Sequence, residues 1–149
     1  MPRIFLDTNI YIIGAGNRQS DEGRILTSLG FRQKVPDAPK VIISQELLDQ
    51  ISRVAKRLRN KDWIGELLGR IWQNLNVHYV LINPQSFIKL EAEGLIPRED
   101  IGVYLSEQAG DADFFVSANH KLIRSLVKET QEFECLTPEE FVKEQLGSL

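Results

Sequence analysis

At 149 residues, with 42% apolar and 26% charged side chains, the chain is the size of one domain and long enough to bury a core. A net charge of −3 argues against a purely electrostatic nucleic-acid binder, and one cysteine, Cys135, excludes an internal disulfide. With only His78 and His120 beside it there is no Cys/His zinc set, and no apolar run reaches the roughly 20 residues that span a bilayer.

The N-terminal stretch MPRIFLDTN lacks the charged and apolar regions of a signal peptide, so a reducing cytoplasm is the expected compartment. No repeat or low-complexity tract divides residues 1–149, which read as a single domain. Arg3 to Leu6 is a short apolar run that predicts a buried strand, stopped by Asp7-Thr8-Asn9. Asn9 to Ile13 predicts the start of a helix that Gly14 and Gly16 interrupt, giving a polar, mobile loop through GAGNRQSDEG. Gly23 to Leu29 predicts a second short helix, and the Pro-bearing VPDAPK leads into a strand over Val41 to Ile43.

Ser44 is a suitable N-cap for the next helix, whose apolar face is Leu47, Ile51, Val54, Ala55 and Leu58. Another helix is expected from Trp63 to Leu75, then a strand from Val77 to Ile82 closed by Asn83-Pro84. Pro97 opens a helix running to Ala109, with Gly110 as its terminator. Phe114 to Val116 is a fourth strand, Leu122 to Lys128 a helix, and Phe133 to Leu136 a fifth strand. Thr137-Pro138-Glu139-Glu140 is a capping box that launches a last helix ending near Gly147. Short apolar strands alternating with helices predict a three-layer α/β/α fold around a parallel sheet of roughly five strands.

In such folds sites form at the carboxyl edge of the strands. Asp7 ends the first strand there, and Glu46 stands in the first turn after the second. Asp100 begins a helix that descends about 14 Å at 1.5 Å per residue. The fourth strand climbs back roughly 17 Å, so Asp100 and Asn119 share that edge. Asp111 and Asp113 fall about 20 Å below, at the opposite edge. Three carboxylates at one edge without basic partners favour a hard cation, Mg²⁺ or Mn²⁺, and with it hydrolysis of a phosphodiester. Each acid also has an ordinary reading: Glu46 and Asp100 complement helix dipoles, and Asp7 caps the helix that follows it.

The segments IFLDTNIYI, VIISQELLDQISRV, EDIGVYLSEQAGDADFFVSANHKLI and LTPEEFV, in that order, resemble a PIN domain. The likeness runs from Arg3 to about Val142 and is weakest between Asn60 and Ile96. It implies a five-stranded parallel sheet and a metal-dependent endoribonuclease that hydrolyses RNA, as in toxins of bacterial toxin–antitoxin pairs. It carries the catalytic acids onto Asp7, Glu46 and Asp100, with Asn119 where members often place a fourth acid. Asp7, Asp100 and Asn119 would hold Mg²⁺ or Mn²⁺, with Ser117 orienting water or a neighbouring ligand and Asn9 at a position close to the first acid. The resemblance admits a small antitoxin partner and a homodimer.

An Asn oxygen ligates a cation but brings no charge, so this corner holds three negative charges instead of four. A weakened or inactive module that binds RNA or a protein partner is therefore the alternative. Arg53, Lys56, Arg57, Arg59 and Lys61 form a basic cluster that either meets the RNA backbone or is a solvated helix face. His120 reads as a solvent-facing side chain or a proton carrier, and His78 as a packed strand residue. A phosphoacceptor signalling domain is excluded because FLDTN offers one acid, not a pair.

Overall fold

A computed structural model of the chain describes residues 2–119 and 133–146. The expected helix over Leu122 to Lys128, His120 and the end near Gly147 lie outside the described residues. The strands are β1 (Arg3–Leu6), β2 (Lys40–Ser44), β3 (Val77–Val80), β4 (Phe114–Val116) and β5 (Glu134–Leu136). Among the described residues the helices are α1 (Thr8–Gly16), α2 (Asp21–Leu29), α3 (Gln45–Leu58), α4 (Lys61–Asn74), α5 (Pro84–Glu93), α6 (Arg98–Ala109) and α7 (Pro138–Gln145). The sheet is wholly parallel, in the order β3-β2-β1-β4-β5.

This order follows from the sequence pattern. The central strands β1, β2 and β4 carry continuous apolar runs, and Ile4, Phe5, Leu6, Val41, Ile42, Ile43, Phe115 and Val116 are all buried. The chain winds from β1 outward to β3, then returns to lay β4 on the other side of β1. The winding direction reverses between β1 and β4, and the carboxyl ends of those two strands form the crevice where such folds bind ligands.

Phe5 is registered with Phe115, and Phe115 with Cys135, so these residues share one face of the sheet. Phe5 and Phe115 pack tilted, with centroids 5.9 Å apart, and Phe133 meets Phe115 edge-on at 6.4 Å. The helix α6 lies on this face. A Cβ built on Gly110 would stand 2.7 Å from Ile42 side-chain atoms, so the missing side chain lets the end of α6 settle on β2. On the opposite face Phe141 of α7 packs edge-on against Phe114, centroids 6.0 Å apart.

Several expectations need correction. α1 is not interrupted; it runs through Gly14 and ends at Gly16, leaving only residues 17–20 as the turn. Gly14 is a packing contact, because a Cβ there would lie 2.7 Å from Leu26 Cδ1 and 2.8 Å from the Glu22 carbonyl of α2. α2 begins at Asp21 and not Gly23, since Ser20 caps it by accepting from the Gly23 N–H. β3 stops at Val80, two residues short of Ile82, and Leu81 is largely exposed. Leu58, counted on the apolar face of α3, is exposed at its end, and Trp72 lies half-exposed against Tyr79. α5 was not anticipated. Its start, Asn83-Pro84, is a cap with Pro in the first turn, but none of its residues is fully buried.

Candidate active site

Asp7 stands at the switch point, 6% exposed, and its backbone N–H donates to the Val116 carbonyl of β4. Its carboxylate has two roles. Oδ1 accepts from the Thr8 N–H at 2.8 Å, which caps α1, and Oδ2 accepts from the Ser117 hydroxyl at 2.7 Å. Burial pushes its pKa up, against the opposing pull of these two hydrogen bonds. Capping of α1 therefore engages one oxygen and the tie to the end of β4 the other.

Ser117 is fully buried, and its own N–H donates to the Leu136 carbonyl of β5. Its hydroxyl also accepts from the Asn119 N–H at 3.0 Å. One oxygen thus fixes Asp7 from β1 and the turn carrying Asn119 after β4. Asn119 and Asn9 are both exposed at this mouth.

Glu46 and Asp100 reach the same edge by another route. Ser44 ends β2 and caps α3, placing Glu46 in the first turn. The buried Ser44 and Ser106 hydroxyls share a hydrogen bond of 2.8 Å, which ties that corner to α6. Gly102 of α6 faces Glu46, and a Cβ there would lie 3.9 Å from the Glu46 Cβ. Asp100 is half-buried in the first turn of α6. Glu46 borders a cleft of about 290 Å³ with Gln50 and Arg53 of α3, Phe87 of α5, and Arg98 and Gly102 of α6. Among the described residues no three Asp, Glu, His or Cys side chains gather into a ready-made ligand set. Asp7, Glu46 and Asp100 stand at the same end of the sheet with graded burial: Asp7 is buried, Asp100 half-buried and Glu46 exposed, and of the three only Glu46 borders the cleft.

Of the basic cluster, Arg53 faces this cleft beside Glu46. Lys56, Arg57 and Arg59 are exposed further along α3, and Arg59 lies over the Trp63 ring at 5.3 Å. The far-edge reading of the other two acids holds: Asp113 accepts from the Arg3 N–H at 2.8 Å at the start of β1, and Asp111 is a left-handed turn residue with φ 54°.

One acid was missed. Glu107 of α6 is fully buried, and its pKa is pushed well up, first by burial and then by the Asp7 charge. In sequence it reads as a solvent-facing helix residue between Ser106 and Gln108. The sequence carries no signal for it, because the four consecutive residues Tyr104 to Glu107 are all buried, a whole turn with no wet side.

Asp7 and Glu107 are two buried carboxyl groups, the Asp7 charge adds to the cost of ionising Glu107, and no described salt bridge reaches either. That donor chemistry fits a hard divalent cation, which needs only one or two carboxylates and otherwise keeps its waters.

No protein-family model and no curated protein sequence matches this chain. Its fold does match a solved structure. A chain of VapBC2 from Rickettsia felis, crystallised bound to a DNA fragment from the promoter, superposes with a TM-score of 0.57 at 15% identity. The match covers 91% of this chain and 98% of that one. The architecture is a PIN-like α/β/α fold, as the sequence motifs imply.

Proposed function

We propose that this chain is a metal-dependent endoribonuclease of the PIN type, acting at the carboxyl ends of β1 and β4. The observation that carries the reading is Asp7: a buried carboxylate at the switch point, oriented by Ser117, in no described salt bridge, and acting by its charge on a second buried acid, Glu107. When bound, Mg²⁺ or Mn²⁺ supplies Lewis acidity toward a phosphodiester and lowers the pKa of water.

The chain's own residues do the rest. Asp7 holds one carboxylate orientation because both oxygens are already engaged by fixed donors, so little reorganisation is needed on loading. Ser117 transmits the position of β4 to that carboxylate, and Asn119 offers an amide oxygen as a neutral acceptor at the mouth. Glu46 and Asp100 orient water and accept protons from it. Arg53 and Arg98, bordering the cleft with Glu46, take the flanking phosphates of a single strand. Hydrolysis consumes one water: its oxygen forms the new P–O bond, the backbone P–O bond breaks, and the leaving oxygen takes a proton.

A fold shared with VapBC2 extends the proposal to a small antitoxin protein as partner. RNA cleavage with Mn²⁺, compared with Asp7→Asn, tests the activity. Cleavage by the natural protein and more than tenfold less by the variant is expected; equal cleavage removes the proposal.

Asn119 favours a second reading, an RNA-binding module that retains the fold without cleavage. RNA binding undiminished by EDTA, with cleavage gained only in Asn119→Asp, would establish it.

A further inference from the structure

α6 carries a carboxyl group for which neither helix capping nor core packing has a use. Glu107 is 0% exposed, and neither Oε1 nor Oε2 has a hydrogen-bond partner among the described residues. Buried carboxyl groups are ordinarily hydrogen-bonded or paired, because removal from water without a partner is unfavourable. No described Lys, Arg or His is ion-paired to it.

Strand register and the packing of α6 place it, and the charges it exchanges agree with that place. The charge acting on Glu107 is that of Asp7, and Glu107 in turn acts on the Cys135 thiol, pushed up to about 12 mainly by burial. Cys135 is registered with Phe115 and hence with Phe5, two residues below Asp7 on the same face. α6 crosses that face, with Ser106 bonded to Ser44 one residue before Glu107. Glu107 therefore lies in the helix layer over the sheet face that ends in Asp7, near enough for the Asp7 charge to act on it.

We infer that Glu107 is the fourth carboxyl group of this site, sharing a divalent cation with Asp7 in place of the acid that position 119 lacks. The assignment rests on the metal-dependent reading above. It restores the charge count: Asp7, Glu46, Asp100 and Glu107 make four acids where the strand end alone offers an amide. It also accounts for two features together. A strand-end acid can be absent because a helix supplies one, and a buried carboxyl can lack a donor because its partner is an ion. Mg²⁺ and Mn²⁺ accept such a pair with water completing the shell.

Calorimetric titration with Mn²⁺ of the natural protein, Glu107→Gln, Asn119→Asp and the double variant tests this, with circular dichroism recording the fold. The natural protein is expected to bind Mn²⁺, and Glu107→Gln at least tenfold more weakly. Without metal, Glu107→Gln should melt at a higher temperature, since it removes an uncompensated buried acid. In the double variant, Asn119→Asp should recover part of the affinity. Unchanged Mn²⁺ affinity in Glu107→Gln overturns the assignment. So does a natural protein that binds no Mn²⁺, or a Glu107→Gln protein that fails to fold, which would make the carboxyl a structural group. RNA cleavage separates the two ideas: Mn²⁺ binding that depends on Glu107 without cleavage sinks the nuclease reading alone. Cleavage indifferent to Glu107→Gln, with affinity unchanged, sinks this assignment alone.

Discussion

Removing the Ser117 hydroxyl is the sharpest local perturbation of the site. Ser117→Ala deletes one buried oxygen that donates to Asp7 at 2.7 Å and accepts from the Asn119 N–H at 3.0 Å. A hydrogen bond to an ionised group contributes about 1.5–3 kcal/mol, and the acceptor here is 6% exposed, so water does not readily replace the donor. The second bond adds little, because Asn119 is exposed and its N–H can turn to solvent. We predict a loss of about 2 kcal/mol at neutral pH, seen as a lower urea midpoint with an unchanged m value. Ser117→Thr keeps the hydroxyl and should recover most of it. The loss should shrink in acid, where a protonated Asp7 accepts less strongly. An alanine variant as stable as the natural protein, or a threonine variant as damaged as alanine, would refute the reasoning.

Three further outcomes follow from the same structure. Gly14→Ala should destabilise by about 1–3 kcal/mol through collision with Leu26 and the Glu22 backbone, whereas Gly69→Ala, in open space on α4, should stabilise by about 0.5–1 kcal/mol. Paired thermal melts check both signs. The pH dependence of the metal-free protein is set in part by Asp7 and Glu107, whose folded pKa values lie above their ordinary ones. Their contribution is most favourable below about pH 4 and is lost as pH rises through the folded values. The stability gain in Glu107→Gln should therefore grow with pH and vanish toward pH 4, as urea titrations at several pH values would record. Arg53→Ala should weaken single-stranded RNA binding and reduce the salt dependence by about one phosphate contact, whereas an unchanged salt slope would place Arg53 outside the interface.

The sequence exposes what periodicity and capping encode. Apolar runs place β1, β2 and β4, and Thr137 with Glu140 forms the capping box of α7 in full. From these the carboxyl edge follows, and with it Asp7, Ser117 and Asn119 as neighbours, which the Ser117 hydrogen bonds bear out. Tertiary contact decides the remainder. Glycine usually weakens a helix, but Gly14 sits where α2 leaves no room for a side chain, so packing overrides propensity. α5 buries no residue fully and thus shows no strong apolar stripe. Glu107 is hidden for the opposite reason: enclosure on all sides of one turn erases the polar-outside rule that makes a helix legible. Glu46 and Asp100 fall in the first turns of α3 and α6, but that Glu46 borders a cleft depends on how α3 and α6 pack against each other.

The central claim is that a divalent cation binds in the floor between β1, β4 and α6. Anomalous diffraction at the manganese edge, from crystals soaked in Mn²⁺, tests it most directly. The account predicts one strong peak within coordination distance of Asp7 and Glu107, about 2.0–2.3 Å from carboxylate oxygen. A peak on the rim away from Asp7, or none in crystals that bind Mn²⁺ elsewhere, contradicts it.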